Sequence, residues 1–238
     1  MLPNLDGYFD KYAEEYYEQD RYNYFWYRWA IDKLVEMVDA ETGQSILDLG
    51  TGHGIVPIKL TEDVGEEGEI IGVDASEEMI EKGKEDIEEL GYGNIEFVVS
   101  YIEELNFDSE SFDAVVSTFA LDHVEDKTSL MKDVYRWLKP GGKFVIALPF
   151  LVDDNFEEMI QRKGKKHPDK RRKYRESLEE TSGNTSEGYL EEHPEEFNVT
   201  LTEFTKILES AGFSEIEVVP PYAKMFKEKG CAVVVGGK

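Results

Sequence analysis

Residues 45 to 54 read S45-I-L-D-L-G-T-G-H-G54. Ile46, Leu47 and Leu49 make a short, largely apolar run that ends in three glycines at alternate positions, Gly50, Gly52 and Gly54. A run of this length and character reads as a buried strand. The glycines at its exit supply backbone that can turn sharply and that a ligand can approach closely. The stretch therefore predicts a strand leading into a ligand-binding loop.

Working outward, apolar runs and helical periodicities alternate. Ile55 to Leu60 opens a helix, and E69-I-I-G-V-D74 reads as a second strand. Ser76 offers an N-cap to a helix carrying Met79, Ile80, Ile87 and Leu90, which Gly91 stops. I95-E-F-V-V99 and F112-D-A-V-V-S-T-F119 read as strands three and four. A helix follows from Asp126 to Leu138, with Leu130, Met131, Val134, Trp137 and Leu138 on one face; Pro140 and two glycines end it before a fifth strand over 143–148. Near-continuous apolar strands separated by helices of this length imply parallel pairing with both sheet faces covered. After a further helix from Thr202 to Ala211, two short strands at 215–219 and 231–235 flank a turn at Pro220, Pro221 and Tyr222. Their short connection predicts an antiparallel pair. The expected fold is doubly wound α/β: a mostly parallel, seven-stranded sheet with the last strand antiparallel.

The whole, residues 1–238, is expected to be a single domain with two additions. Residues 8–38 are helical in pattern and rich in rings. Phe25, Trp29, Leu34 and Val38 would form a packing face, and the stretch Tyr8 to Tyr17 suits an amphipathic lid. Residues 151–200 are polar, break the rhythm and read as an insertion capping the substrate.

Composition excludes several classes. With 26 basic and 52 acidic residues the formal charge is −26, which disfavours a whole-protein grip on nucleic acid or anionic membranes. The lone cysteine, Cys231, forbids an internal disulfide or a multi-cysteine metal site, and no run reaches the length of a membrane span. A cytoplasmic location and no bound metal are the expectation. One segment departs from the acidic average: Arg162 to Arg175 holds nine basic residues and one acid, leaving 17 basic against 51 acidic elsewhere. It reads as a solvated loop, a binder of an anionic substrate, or a clamp for RNA or a membrane surface.

Asp74 ends the second strand about twenty residues past the glycine loop, where a carboxylate accepts hydrogen bonds from ribose hydroxyls. The loop spacing is G-x-G-x-G, one residue short of the dinucleotide fingerprint G-x-G-x-x-G. Together these indicate a nucleoside-containing cofactor. By themselves they do not separate an adenosyl sulfonium from a nicotinamide dinucleotide.

Four motifs in order, I46-L-D-L-G-T-G-H-G54, V73-D-A-S76, S111-F-D-A-V-V-S117 and W137-L-K-P-G-G-K-F-V-I146, resemble those of class I S-adenosylmethionine-dependent methyltransferases of the quinone-biosynthesis and small-molecule subgroup. Y8-F-D-K-Y-A-E-E-Y16 resembles that family's opening. The resemblance covers about residues 8–150 and 202–236. It implies S-adenosylmethionine as cofactor, with S-adenosylhomocysteine as product. It also implies that Asp48, Gly50, Thr51, Gly52 and Gly54 hold the methionine part, Asp74 the ribose, Ala75 and Met79 one side of the adenine, and Phe119 the floor near the sulfonium. Tyr16, Ser100, Tyr101 and Ile102 complete the implied cofactor set. Where the family commonly places an adenine-binding Asp, this chain has Tyr101. Either its phenol replaces the carboxylate, or Tyr101 and Ile102 only pack on the ring.

Methyl transfer is an in-line displacement, so alignment should matter more than acid–base chemistry. If a base is used, His123 is the candidate, because it follows the fourth strand on the pocket side and an imidazole is the side chain able to titrate near neutrality; the bland alternative is a histidine packed at the start of the next helix. His53 is read as non-catalytic. The expected activity is methyl transfer to a small or medium organic acceptor, anionic or aromatic. The rivals are an NAD-dependent oxidoreductase and a non-enzymatic binding protein of the same fold.

Overall fold

The computed structural model describes residues 25–151, 199–226 and 229–238. Its centre is a seven-stranded sheet ordered β3-β2-β1-β4-β5-β7-β6, with β1 Ser45–Leu49, β2 Glu69–Asp74, β3 Ile95–Val99, β4 Phe112–Thr118, β5 Leu138–Leu151, β6 Ser214–Phe226 and β7 Lys229–Gly237. The first five strands pair in parallel, and β7 runs antiparallel between β5 and β6. This is the expected doubly wound arrangement.

Helices cover both faces. On one lie α1 (Phe25–Val38), α2 (Ile55–Val64) and α3 (Glu77–Leu90), which bury Leu34, Leu60 and Ile80 against Ile46, Ile70, Val116 and Val145. On the other, α4 (Lys127–Trp137) and α5 (Leu201–Ala211) bury Met131, Val134, Trp137, Phe204 and Leu208 against Leu47, Val115, Phe144 and Ile146. Alternate residues of a strand point to opposite faces, so a central strand covered on both sides must be apolar throughout. Local signals set the helix ends: Ser76 accepts the Met79 N–H at 3.1 Å, and Thr200 and Glu203 form a reciprocal capping box.

Three sequence expectations need correction. The packing face of α1 is Ala30, Ile31, Leu34 and Val38, all at most 1% exposed, whereas Trp29 is half-buried at the margin and the Phe25 side chain lies outside the described set. Strand β5 begins at Leu138 rather than 143, because Pro140, Gly141 and Gly142 are absorbed as a register shift opposite Phe112 and Ala114. Pro220 and Pro221 do not end β6. They sit at the shift between Val219 and Ala223, on the outermost strand, where a missing N–H removes no essential ladder bond. The lid expected over 8–38 and the insertion expected at 151–200 fall, but for α1, Leu151, Val199 and Thr200, outside the described residues.

Candidate cofactor site

Strand order reverses between β1 and β4, so the loops leaving these two strands diverge and open a crevice at the carboxyl edge of the sheet. The glycine loop leaves β1; residues Phe119–His123 leave β4. They meet at Gly50, where an added Cβ would lie 2.1 Å from the Ala120 Cβ. Only glycine permits that approach. At Gly52 the same test meets nothing within 4 Å, so the loop is tight against the protein at one glycine and open at the next.

Asp74 ties the crevice together. Its Oδ2 accepts the Gly52 N–H at 2.8 Å and its Oδ1 the Ser76 N–H at 2.9 Å, joining the glycine loop to the start of α3. A carboxylate oxygen can accept more than one hydrogen bond, so these backbone contacts are compatible with further donors at Asp74. Ala75 is half-buried and Met79 buried at this helix start. Across the carboxyl end of β3, Ser100 donates its N–H to the Asp74 carbonyl at 2.9 Å. Half-buried Tyr101 then caps a short 3-10 turn, Ile102–Glu104, and the Ile102 side chain reaches toward Gly50.

Asp48 is the most unusual group. It is 1% exposed; Thr51 Oγ1 donates to its Oδ2 at 2.8 Å, and its Oδ1 has no hydrogen-bond partner among the described residues. Burial pushes its carboxyl up to about 7; the Thr51 hydrogen bond works against this and the nearby Asp74 charge adds to it. Leaving a buried carboxylate oxygen bare is costly, and the remedy is a cationic donor arriving with a ligand. The α-ammonium of S-adenosylmethionine is such a donor, so the residues fit the cofactor that the motifs imply.

Thr118, absent from the sequence-derived set, lies on the same sheet face two residues beyond Val116, the register partner of Asp48. Its Oγ1 is also buried and has no hydrogen-bond partner among the described residues. A Thr ending a strand carries no signal in sequence; only the register aligns it with Asp48. Phe119 is half-buried with φ +53, a left-handed conformation rare for an aromatic residue. Its N–H donates to the Ala147 carbonyl at 2.9 Å. His123 closes a second 3-10 turn, Leu121–His123, beside the buried Asp122. His53 is buried and turned away from this group: its Nδ1 lies 3.6 Å from Asp86 Oδ2 on α3. Tyr16 and Arg162 to Arg175 lie outside the described residues. Among the described residues no cluster of His, Cys, Asp and Glu could hold a metal ion, and no helix is long and apolar enough to cross a membrane.

This crevice, on this strand order, defines the class: the family model described as "Methyltransferase domain" matches residues 40–212, and the chain belongs to that family. Among curated proteins it is 35% identical, over 122 residues, to the ubiquinone/menaquinone biosynthesis C-methyltransferase UbiE of Escherichia coli, covering 51% of this chain and 47% of that one. The chain thus spans about half the length of the curated relatives it matches. Two solved structures share the fold at lower identity. A SAM-dependent methyltransferase from Aquifex aeolicus superposes with a TM-score of 0.57 at 20% identity, covering 87% of this chain and 88% of the other. Phosphoethanolamine N-methyltransferase 2 of Haemonchus contortus, in complex with S-adenosyl-L-methionine, superposes with a TM-score of 0.64 at 18% identity, covering 90% of this chain and 56% of the other.

Proposed function

We propose that this chain is an S-adenosylmethionine-dependent methyltransferase that methylates a small organic acceptor at the crevice between the β1 and β4 loops. The observation that carries the reading is the bare, buried Asp48 Oδ1 beside a glycine loop that Asp74 holds open. Asp48 receives the α-ammonium of the cofactor, and the backbone of Gly50, Thr51, Gly52 and Gly54 takes the rest of its amino-acid end. Asp74 accepts the ribose hydroxyls. Ala75 and Met79 lie on one side of the adenine; Ser100, Tyr101 and Ile102 lie on the other. Phe119 fills the floor near the sulfonium, and Tyr16 belongs to the lid.

Bound S-adenosylmethionine supplies a methyl group already activated by a positively charged leaving group. What remains for the chain is to bind, align and keep water out. Alignment to near-attack distance is worth roughly 7–11 kcal/mol. A base adds about 10²- to 10⁴-fold, and His123 is the residue for that part. The single-domain organisation, with residues 8–38 as lid and the insertion as cap, belongs to the same proposal. Nine basic residues between Arg162 and Arg175 support an anionic acceptor, and the aromatic N-terminal stretch supports a planar one.

The test is an acceptor screen that reads S-adenosylhomocysteine release, run on phenols, quinols and phosphorylated amines. Release above the acceptor-free rate with any of them supports the reading; binding of S-adenosylhomocysteine without release across the screen would favour a non-enzymatic binding protein. For an anionic acceptor, affinity should fall steeply with salt.

A further inference from the structure

The turn that carries His123 contains a second ionisable group with no assigned part. Asp122 is buried, its side chain 4% exposed, and its Oδ2 lies 3.2 Å from His123 Nε2, within ion-pair distance but outside hydrogen-bond geometry. Lys127, at the start of α4, braces the same turn. Its Nζ donates to the Asp122 carbonyl at 3.2 Å and to the Val124 carbonyl at 2.8 Å. Burial lowers the Lys127 ammonium, and the negative charges of Asp122 and then Glu103 oppose that lowering. Among the described residues, the charged groups that face one another here include Asp122 and His123 on the turn, Lys127 on α4 and Glu103 on the 3-10 turn after β3. Ala120, two residues before Asp122, abuts Gly50 of the cofactor loop.

An aspartate used only to anchor a turn has no need of ionisation, and burying it charged is expensive. A cation on one side and an imidazole on the other offset that cost. We infer that Asp122 is a positioning residue for His123: its carboxylate lies at the Nε2 edge of the imidazole, favours the proton there and stabilises the imidazolium formed when Nδ1 takes a proton from the acceptor. This deepens the proposed function and rests on it. It also narrows the substrate class to acceptors that must lose a proton on methylation, such as a phenol, an enol or an ammonium group. In that step the acceptor's X–H bond breaks, its proton goes to Nδ1 and its electron pair forms the X–CH₃ bond. The C–S bond breaks with its pair remaining on sulfur, so one positive charge leaves the sulfonium and one appears on the imidazolium.

Histidine nitrogen chemical shifts report both tautomer and charge, and the chain has four histidines, so His123 can be assigned by comparison with His123→Gln. The ¹⁵N-histidine-labelled full chain is titrated with pH, alone and with S-adenosylhomocysteine. The neutral imidazole of His123 should carry its proton on Nε2. In Asp122→Asn its titration midpoint should fall by about one pH unit, since an adjacent carboxylate favours the charged form, with S-adenosylhomocysteine affinity within about threefold of wild type. A neutral form protonated on Nδ1, or a midpoint unmoved by Asp122→Asn, overturns the inference. If the variant does not fold, the wild-type tautomer alone decides. Failure of S-adenosylhomocysteine to bind the wild-type chain would instead count against the proposed function, a result the tautomer measurement does not mimic.

Discussion

Asp48 is a carboxyl whose burial opposes folding and which the proposed function gives a part in binding. Its unfolded value is 3.8 and its value in the folded, ligand-free chain is about 7, so the folded state favours the protonated form. The sign follows: below about pH 4 it imposes no penalty, the penalty grows as pH rises through 4 to 7, and above 7 it is complete, at about 4 kcal/mol. In the proposed complex cofactor binding runs the other way, because the carboxylate form would receive the ammonium. Affinity for S-adenosylhomocysteine should rise up to tenfold per unit between about pH 5 and 7 and level off above, as calorimetry across that range would show. Asp48→Asn should raise the melting temperature of the ligand-free chain at pH 8 while lowering S-adenosylhomocysteine affinity by at least about 100-fold. A variant that melts lower at pH 8 and binds as wild type would contradict this account of the residue.

At the scale of elements, one contact joins a helix to the cofactor loop. Gly83 sits inside α3, where glycine ordinarily weakens a helix by about 1 kcal/mol relative to alanine. Here a Cβ would come within 2.9 Å of the His53 carbonyl oxygen and 3.0 Å of the Phe97 ring. Gly83→Ala should therefore destabilise, against the usual helical trend, and should weaken S-adenosylhomocysteine binding about tenfold by displacing the loop. Thermal melting and calorimetry on this one variant test both halves, and a stabilised variant of unchanged affinity would show that the loop yields freely. Gly50→Ala is the sterner case: its Cβ would meet the Ala120 Cβ at 2.1 Å, with φ at +73. It should abolish cofactor binding.

The same elements show what was legible in sequence. The parallel core was, because β1, β2 and β4 are short apolar runs punctuated by helices with their own caps, and every one of those signals is local. The candidate site was legible in its placement where local signals mark it: the glycines at 50, 52 and 54 leave β1, and Asp74, at the end of the next strand, accepts the Gly52 N–H. What could not be read depends on partners distant in sequence. Thr118 is aligned with Asp48 only through the register of β4 with β1, Gly83 meets the loop only in the packed fold, and Asp122 lies beside His123 and Lys127 only once buried. Pro220 and Pro221 read as a turn because their tolerance depends on β6 being outermost, which follows only from the strand order.

Across the whole molecule, the formal charge of −26 sets a background of self-repulsion against which any anionic ligand must bind. Raising sodium chloride from about 0.1 M to about 1 M shortens the screening length from about 10 Å to about 3 Å. The melting temperature should rise by several degrees over that range, and a flat or falling curve would show that the acidic groups are already compensated by close pairs. Calorimetric titration of the full chain with S-adenosylhomocysteine and, separately, with NADH at pH 7.5 tests the central claim most directly. Saturable one-to-one binding of S-adenosylhomocysteine, lost in Asp48→Asn, with no binding of NADH, is the predicted result; binding of NADH, or the absence of S-adenosylhomocysteine binding by the wild-type chain, would contradict it.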